Sequence, residues 1–451
     1  MKTRALWKRG QITIIGGTYV RRNSAIIFLF GSFVLLALLG VPIAVCLCVA
    51  GFGTASVLGI TPIAVVQNIF SMLNSYTLLA VPLFLIVGNV MEYGGITERL
   101  VNFSRTLVGH IRGGLAQVNI LTNMLMAGIS GSATADATAL GSVMLPAMKR
   151  EGYPADLSCA INAAASTIGP VIPPSIMMVV YGAYSGVSIG AMFASGVLPG
   201  VIIGLSLMIY VYVWAKKTDF RTAERRATLK EVGRATVKAI PALLAPVIIV
   251  VGIVGGIVTT TEAGMLCSIY CLAISVFLFH SINLKHILEI LENTVTGMCK
   301  PLLCVAGAGA FGYMMAYLNV PAMFLSLLGD AANSKIFVTL FIVVLYLILG
   351  TFMDATPAIV IFMSIIQSLA SNVGLNPLHV GVLICVTLCF GFITPPYGLT
   401  LLISAGIGGV PTIAVIKRLK WIFVLLIAVI LLMAFIPGIV LIVPRLLGMT
   451  V

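Results

Sequence analysis

Residues 155–184 form an apolar stretch long enough to cross a bilayer, yet Pro170, Pro173 and Pro174 interrupt its middle. A proline removes a backbone donor and clashes with the preceding helical turn. Inside hydrocarbon, every freed backbone group must find a partner or line a cavity walled by protein. A chain that breaks a helix here must therefore build other helices around the break. The rest of the sequence can supply them. Of 451 residues, 60% are hydrophobic and 9% are charged, against about 25% charged in soluble domains. Apolar runs at 26–50, 54–73, 76–93, 189–215, 239–258, 262–283, 299–328 and 421–443 approach or exceed the roughly 20 residues of a spanning helix. Amphipathic stretches at 95–112 and 284–297, and an interfacial one at 411–420, separate some of them. The chain reads as an all-α polytopic membrane protein.

The net charge of +13 would suit a nucleic-acid binder, but its distribution points elsewhere. Eight of the 26 basic residues fall in 216–238, the clustering that the positive-inside rule produces in a cytoplasmic loop. Counting alternately from that loop puts 18 basic residues on the cytoplasmic side and only Lys335 and Arg445 opposite. The six basic residues of the extension 1–24 then fall outside, against the rule. Nine cysteines are scattered in apolar segments without a CxxC pair, which argues against a zinc site. The four histidines lie at or near helix ends, and no Walker A pattern is present. No cofactor is expected.

Two regions of the chain resemble each other. "SGSATADATALGSVMLPAM" is followed by "GYP" and "STIGPVIPPSIMMVVYG"; "LGTFMDATPAIVIFMSI" is followed by "LNP" and "CFGFITPPYGLTLLISAG". Both carry Asp-Ala-Thr, at 136–138 and 354–356. Both then have a proline opening the next helix, at 154 and 377, and a Pro-Pro pair at 173–174 and 395–396. Basic residues flank the first apolar hairpin at both ends, Arg112 before and Lys149 and Arg150 after, so it enters and leaves from one side. In the alternating map the second hairpin opens to the other side. Such inverted repeats with paired broken helices point to the binding site of a secondary transporter.

The chemistry of that site comes from helix ends. Half-helix N-termini offer free N–H groups to a substrate carboxylate, and unwound carbonyls offer oxygens to Na⁺. Ser130, Ser132, Thr134, Thr351 and Thr356 add hydroxyl oxygens at the tips. Asp136 and Asp354 are intramembrane carboxylates, which are functional by default, although each could also cap the helix after it. Gly169 and Gly391 precede the proline pairs, and either tight helix packing or an exposed unwound backbone would account for them.

The segments "PLFLIVGNVMEYGGITERLV", "HIRGGLAQVN", "GISGSATADATALGSVMLPAMKREGY", "ASTIGPVIPPSIMMVVYG", "APVIIVVGIVGGIVTTTEAG", "LGTFMD" and "GFITPPYGL" resemble the large membrane subunit of tripartite ATP-independent periplasmic (TRAP) transporters. The resemblance runs from about residue 30 to residue 440. It implies a bacterial inner-membrane permease, not an enzyme, that imports a small carboxylate such as a C4-dicarboxylate or sialic acid on a Na⁺ gradient. It implies two partners, a small four-helix membrane subunit and a periplasmic substrate-binding protein, and no nucleic acid. It implies an elevator in which two re-entrant hairpins and two broken helices slide against a scaffold. Carried over residue by residue, it points to Ser130, Ser132, Gly350, Asp354, Gly391 and Thr394 for sodium. Asp136, Thr138, Gly169, Pro173, Ser175, Thr356 and Pro395 form the region for substrate or a second ion.

The chain then divides into the extension 1–24, first scaffold helices 25–112, a first repeat 113–215, the basic loop 216–238, second scaffold helices 239–330 and a second repeat 335–443. The first repeat holds a hairpin at 113–150 and a broken helix at 155–184. The second holds them at 335–370 and 376–408. A self-sufficient divalent-anion/sodium symporter would share this plan and is the alternative.

Overall fold

The computed structural model describes residues 23–220, 225–395 and 397–449. Residues 1–22 of the extension 1–24, 221–224 of the basic loop and Pro396 of the second proline pair lie outside the described residues. Every regular element among the described residues is helical, and eight helical segments are long and apolar enough to cross a membrane.

The chain opens with α1 (Asn23–Leu38), α2 (Ile43–Leu58), α3 (Pro62–Leu73) and α4 (Ala80–Tyr93). The expected spans 26–50 and 54–73 are thus each divided. Gly40 takes φ +80° and Pro42 caps α2; Gly59 takes φ +70° and Pro62 opens α3. Proline in a first turn forfeits no helical bond, whereas inside a helix it costs about 3 kcal/mol. The backbone therefore turns at these prolines. Next comes α5 (Ile96–Val108), amphipathic, burying Ile96, Leu100 and Ser104 along one face.

The first hairpin is α6 (Gly114–Ser130) with α7 (Ala133–Arg150), and the first broken helix is α8 (Ala155–Ser166) with α9 (Ile176–Ser185). The 29-residue α10 (Ile189–Lys217) comes next. The helix after it, α11 (Leu229–Val254), starts well inside the stretch expected as a basic loop, because Thr228 and Glu231 form a capping box there. Two further helices are α12 (Thr260–Ala273) and α13 (Leu284–Tyr317). The latter runs for 34 residues straight through Pro301, where the sequence suggested an amphipathic stretch and a separate span. After α14 (Val320–Leu328) come the second hairpin, α15 (Lys335–Phe352) with α16 (Ala355–Asn372), and the second broken helix, α17 (Pro377–Gly391) with α18 (Leu399–Gly408). The stretch 411–420 is the start of α19 (Thr412–Phe435) and not a separate interfacial segment; α20 (Pro437–Leu446) closes the fold.

Packing places the four interrupted elements together. The half-helix α8 lies on its own hairpin, α6 and α7, and α17 lies on α15 and α16. The second halves cross over: α9 packs on α16 and α17, and α18 packs on α7 and α8. Asn162 of α8 ties this crossing together. Its amide donates to Ser404 Oγ of α18 at 2.9 Å and to the Ala137 carbonyl of α7 at 3.1 Å. Its Oδ1 accepts from Asn119 of α6. All three side chains are buried, where a satisfied network specifies one arrangement and a broken one is costly. Outside this body, α13 packs along α2, α3 and α4.

Candidate functional site

The first tip is a sharp turn. Gly131 sits at φ +59°, and a Cβ there would come within 2.5 Å of the Pro174 carbonyl oxygen. The tip is therefore seated on the first helix break, and only glycine permits both the conformation and the approach. Ser132 is extended and forms the N-cap of α7, accepting from the Ala135 amide at 3.4 Å. Asp136 lies one turn further on, fully buried. Ser130 Oγ donates to its Oδ1 at 2.5 Å, while Oδ2 has no hydrogen-bond partner among the described residues. A Cβ on Gly169 would strike that same Oδ2 and stand 3.2 Å from the Ser166 carbonyl oxygen. The first tip and the first break thus enclose an orphaned carboxylate oxygen beside backbone oxygens.

A buried acceptor without a partner needs an explanation. Oxygen donors from a carboxylate, hydroxyl and backbone suit a hard cation, so the residues present fit Na⁺. Ser130, Asp136 and the backbone near Gly169 would hold it. Ser175 caps α9, accepting from Met178 at 3.3 Å, and the Pro173–Pro174 bond is cis.

The second tip is built differently. Met353 is extended, and Asp354 is itself the N-cap of α16, accepting from the Ala355 amide at 2.7 Å. Gly350 and Gly391 bring α15 and α17 into backbone contact. A Cβ on Gly391 would lie 2.5 Å from Gly350 Cα and 2.6 Å from its carbonyl carbon. Close packing accounts for both glycines. In the second break Thr394 Oγ1 donates to the Phe390 carbonyl at 2.8 Å, and the Thr394 amide donates to the Gly391 carbonyl at 2.9 Å. One lone pair of that carbonyl remains for another ligand.

These caps correct the register of the repeat. Ser132 and Asp354 are 222 residues apart, and the same separation relates Gly128 to Gly350, Thr134 to Thr356, Gly169 to Gly391 and Pro173 to Pro395. The two Asp-Ala-Thr triplets are only 218 apart, a mismatch of about one helical turn. The expectation that each aspartate caps its helix holds for Asp354 alone. Asp136 is inside α7, and Ser132 caps it.

A cavity of about 590 Å³ opens between the tips. Hairpin 1 contributes Ser132, Thr134 and Thr138, hairpin 2 contributes Asp354 and Thr356, and Pro170 comes from the first break. Ser130, Asp136, Gly169, Pro173, Ser175, Gly350, Gly391, Thr394 and Pro395 do not line it. The Thr138 hydroxyl, although on the wall, donates to the Thr134 carbonyl of its own helix at 2.9 Å.

The opposite wall was missed from sequence. It comes from α4 and α13, which supply Asn89, Glu92, Asn293 and Lys300. Lys300 lies near the middle of α13 and close enough to Asp354 for their charges to interact. It makes no hydrogen bond or ion pair among the described residues. An ionisable side chain at mid-helix was the available signal; starting a separate span at residue 299 had put Lys300 at a helix end, among the cytoplasmic charges.

The family profile described as "Tripartite ATP-independent periplasmic transporter, DctM component" matches residues 30–439. The sialic acid TRAP transporter large permease protein SiaM of Vibrio cholerae is 35% identical, covering 84% of this chain and 89% of its own length. The isethionate TRAP transporter permease protein DctMQ of Oleidesulfovibrio alaskensis is 37% identical over 91% of this chain, which spans 65% of that longer protein. Among solved structures, the Alcanivorax borkumensis YdaH transporter shares the fold, with a TM-score of 0.55 at 14% identity, covering 83% of this chain and 87% of the other. With the match spanning nearly all of its helices, the chain belongs to the DctM family of TRAP transporters and is a multi-pass inner-membrane permease, not an enzyme.

Proposed function

We propose that this permease moves a small organic acid into the cell on a Na⁺ gradient, together with a small membrane subunit and a substrate-binding protein. The observation that carries the reading is the cavity between the tips, in which Lys300 faces hydroxyls and a helix cap. A cation beside hydroxyl groups is what an organic anion needs. The relatives named for sialic acid and isethionate take a carboxylate and a sulfonate respectively. The substrate class is therefore widened from carboxylates to small organic anions. Coupling rests on the orphaned Asp136 oxygen beside Gly169, with the Gly391–Thr394 turn as a second ion position.

The constant 222-residue spacing and the crossed packing of α9 and α18 support two halves of inverted topology. They also support an elevator, in which α6–α9 and α15–α18 move as one body past α4 and α13.

The test is uptake of labelled organic acids into liposomes holding the purified permease, with and without its two partners. Uphill accumulation is expected only with all three parts and an inward Na⁺ gradient. Lys300→Gln is expected to lower uptake about tenfold, the loss of one charge-assisted bond. Uptake by the chain alone would convert the reading to the self-sufficient symporter. Accumulation that survives collapse of the Na⁺ gradient would remove the coupling.

A further inference from the structure

The cavity between the tips holds a second ionisable group that binding an anion leaves unused. Glu92, on the last turn of α4, shares the scaffold wall with Lys300 of α13. Its carboxyl group makes no hydrogen bond or ion pair among the described residues, with Lys300 or with any other. Both side chains are exposed, so neither meets the full desolvation cost that neutralises a buried group. Apart from Asp354, which already caps α16, they are the only ionisable side chains on the lining among the described residues.

The contacts between α4 and α13 set how far apart the two groups stand. Leu85 Cδ1 lies beside Gly297, 3.7 Å from where a Cβ would be. The Asn89 amide donates to Thr294 Oγ1 at 3.0 Å, and the Asn293 amide donates to the Tyr93 hydroxyl at 3.1 Å. The helices are therefore antiparallel here, and Glu92 is level with Asn293. Lys300 lies seven residues further along α13, about 10 Å along its axis. The wall thus carries a cation at one end and a carboxylate at the other, and the Asn89 amide between them is tied to α13. Hydrogen bonds of about 2.8 Å at each end leave room for a ligand whose two polar ends are a few bonds apart.

We infer that Glu92 selects the far end of the substrate, an inference that rests on the organic-anion reading above. The acidic group lies at Lys300, and a hydrogen-bond donor, ammonium or hydroxyl, lies at Glu92. A donor there forms a charge-assisted bond. A second carboxylate would face Glu92 as like charge to like, and such juxtaposition is how a site refuses a close analogue. Dicarboxylates are thereby refused, whereas hydroxy- and amino-substituted acids of the same length are held at both ends.

The test is equilibrium binding of radiolabelled acids to the purified full chain in detergent with Na⁺. The probes form two series, each of similar length and differing at the far end: 4-aminobutyrate, 4-hydroxybutyrate and succinate, then taurine, isethionate and sulfoacetate. The amino and hydroxy members are expected to bind at least about tenfold more tightly than succinate or sulfoacetate. Glu92→Gln should bring each series to within about threefold, and Glu92→Lys should reverse the order in favour of the doubly acidic member. Glu292→Gln, on α13 but away from the cavity, should change nothing. Lys300→Gln should weaken every probe about equally and keep the order, which separates the anion site from the far-end selector. Succinate or sulfoacetate binding as tightly as its amino counterpart would overturn the inference, as would an order unchanged in both Glu92 variants. Absence of binding by all six probes would instead overturn the anion reading, and this inference with it.

Discussion

The two hairpins share a backbone plan and differ in where they put their charge. In the first, a hydroxyl caps the descending helix and the carboxylate of Asp136 is buried one turn below, against Gly169. In the second, the carboxylate of Asp354 is itself the cap and borders the cavity, and the position matching Asp136 by the 222-residue spacing is the buried Ala358. The paired break glycines differ in the same way. Gly169 makes room for a side-chain oxygen, whereas Gly391 makes room for the backbone of Gly350. Equal geometry thus carries a concealed carboxyl group in one half and a presented one in the other.

The largest expected effect tests the glycines. Gly391→Ala drives a methyl group into the Gly350 backbone, which cannot yield as a side chain can. It should cost several kcal/mol, at or above the usual 1–3 kcal/mol of overpacking, and be read as a steep fall in melting temperature in detergent. Gly169→Ala should melt closer to the parent and lose its response to Na⁺ instead. Matching melting temperatures for the two variants would erase the distinction between them.

A second measurement separates the carboxylates. Asp136→Asn should reduce Na⁺-driven uptake by about tenfold or more, because the charge is removed where no water replaces it. Asp354→Ser keeps a capping oxygen and Asp354→Ala does not, so the alanine variant should be about 1 kcal/mol less stable while both lose uptake. Should the serine variant transport normally, Asp354 would be a cap alone.

The smallest effect belongs to the hydroxyls. Thr138 is four residues out of register with Thr356, and its hydroxyl is spent on its own helix. Thr138→Val should therefore change uptake by less than about twofold, and Thr356→Val by more. The reverse order would restore the register suggested by the Asp-Ala-Thr triplets.

That register shows how far the sequence could be read. The hairpins and broken helices were legible because prolines and glycines interrupt long apolar runs at ordered intervals. A three-residue match could not fix the alignment, because an Asp can start a helix or sit one turn inside it. Only the backbone conformations at Ser132 and Asp354 decide between them. The splits at Gly40–Pro42 and Gly59–Pro62 carried ordinary turn signals that hydrophobic length overrode. Lys300 was obscured for the opposite reason: a span starting at residue 299 put it at a helix end, but α13 begins at Leu284 and continues past it.

The crossing of α18 onto hairpin 1 also has a consequence for biogenesis. Asn162 emerges from the ribosome 242 residues ahead of Ser404, its partner. Until then the first hairpin lacks one wall, and one of the two amide N–H groups of Asn162 lacks its acceptor, the other being held by the Ala137 carbonyl. Contacts of such long range close late and slowly, so the N-terminal half must be inserted as an unfinished body. Synthesis of the last third of the chain completes both halves together, which gives a truncated permease no stable half to fall back on.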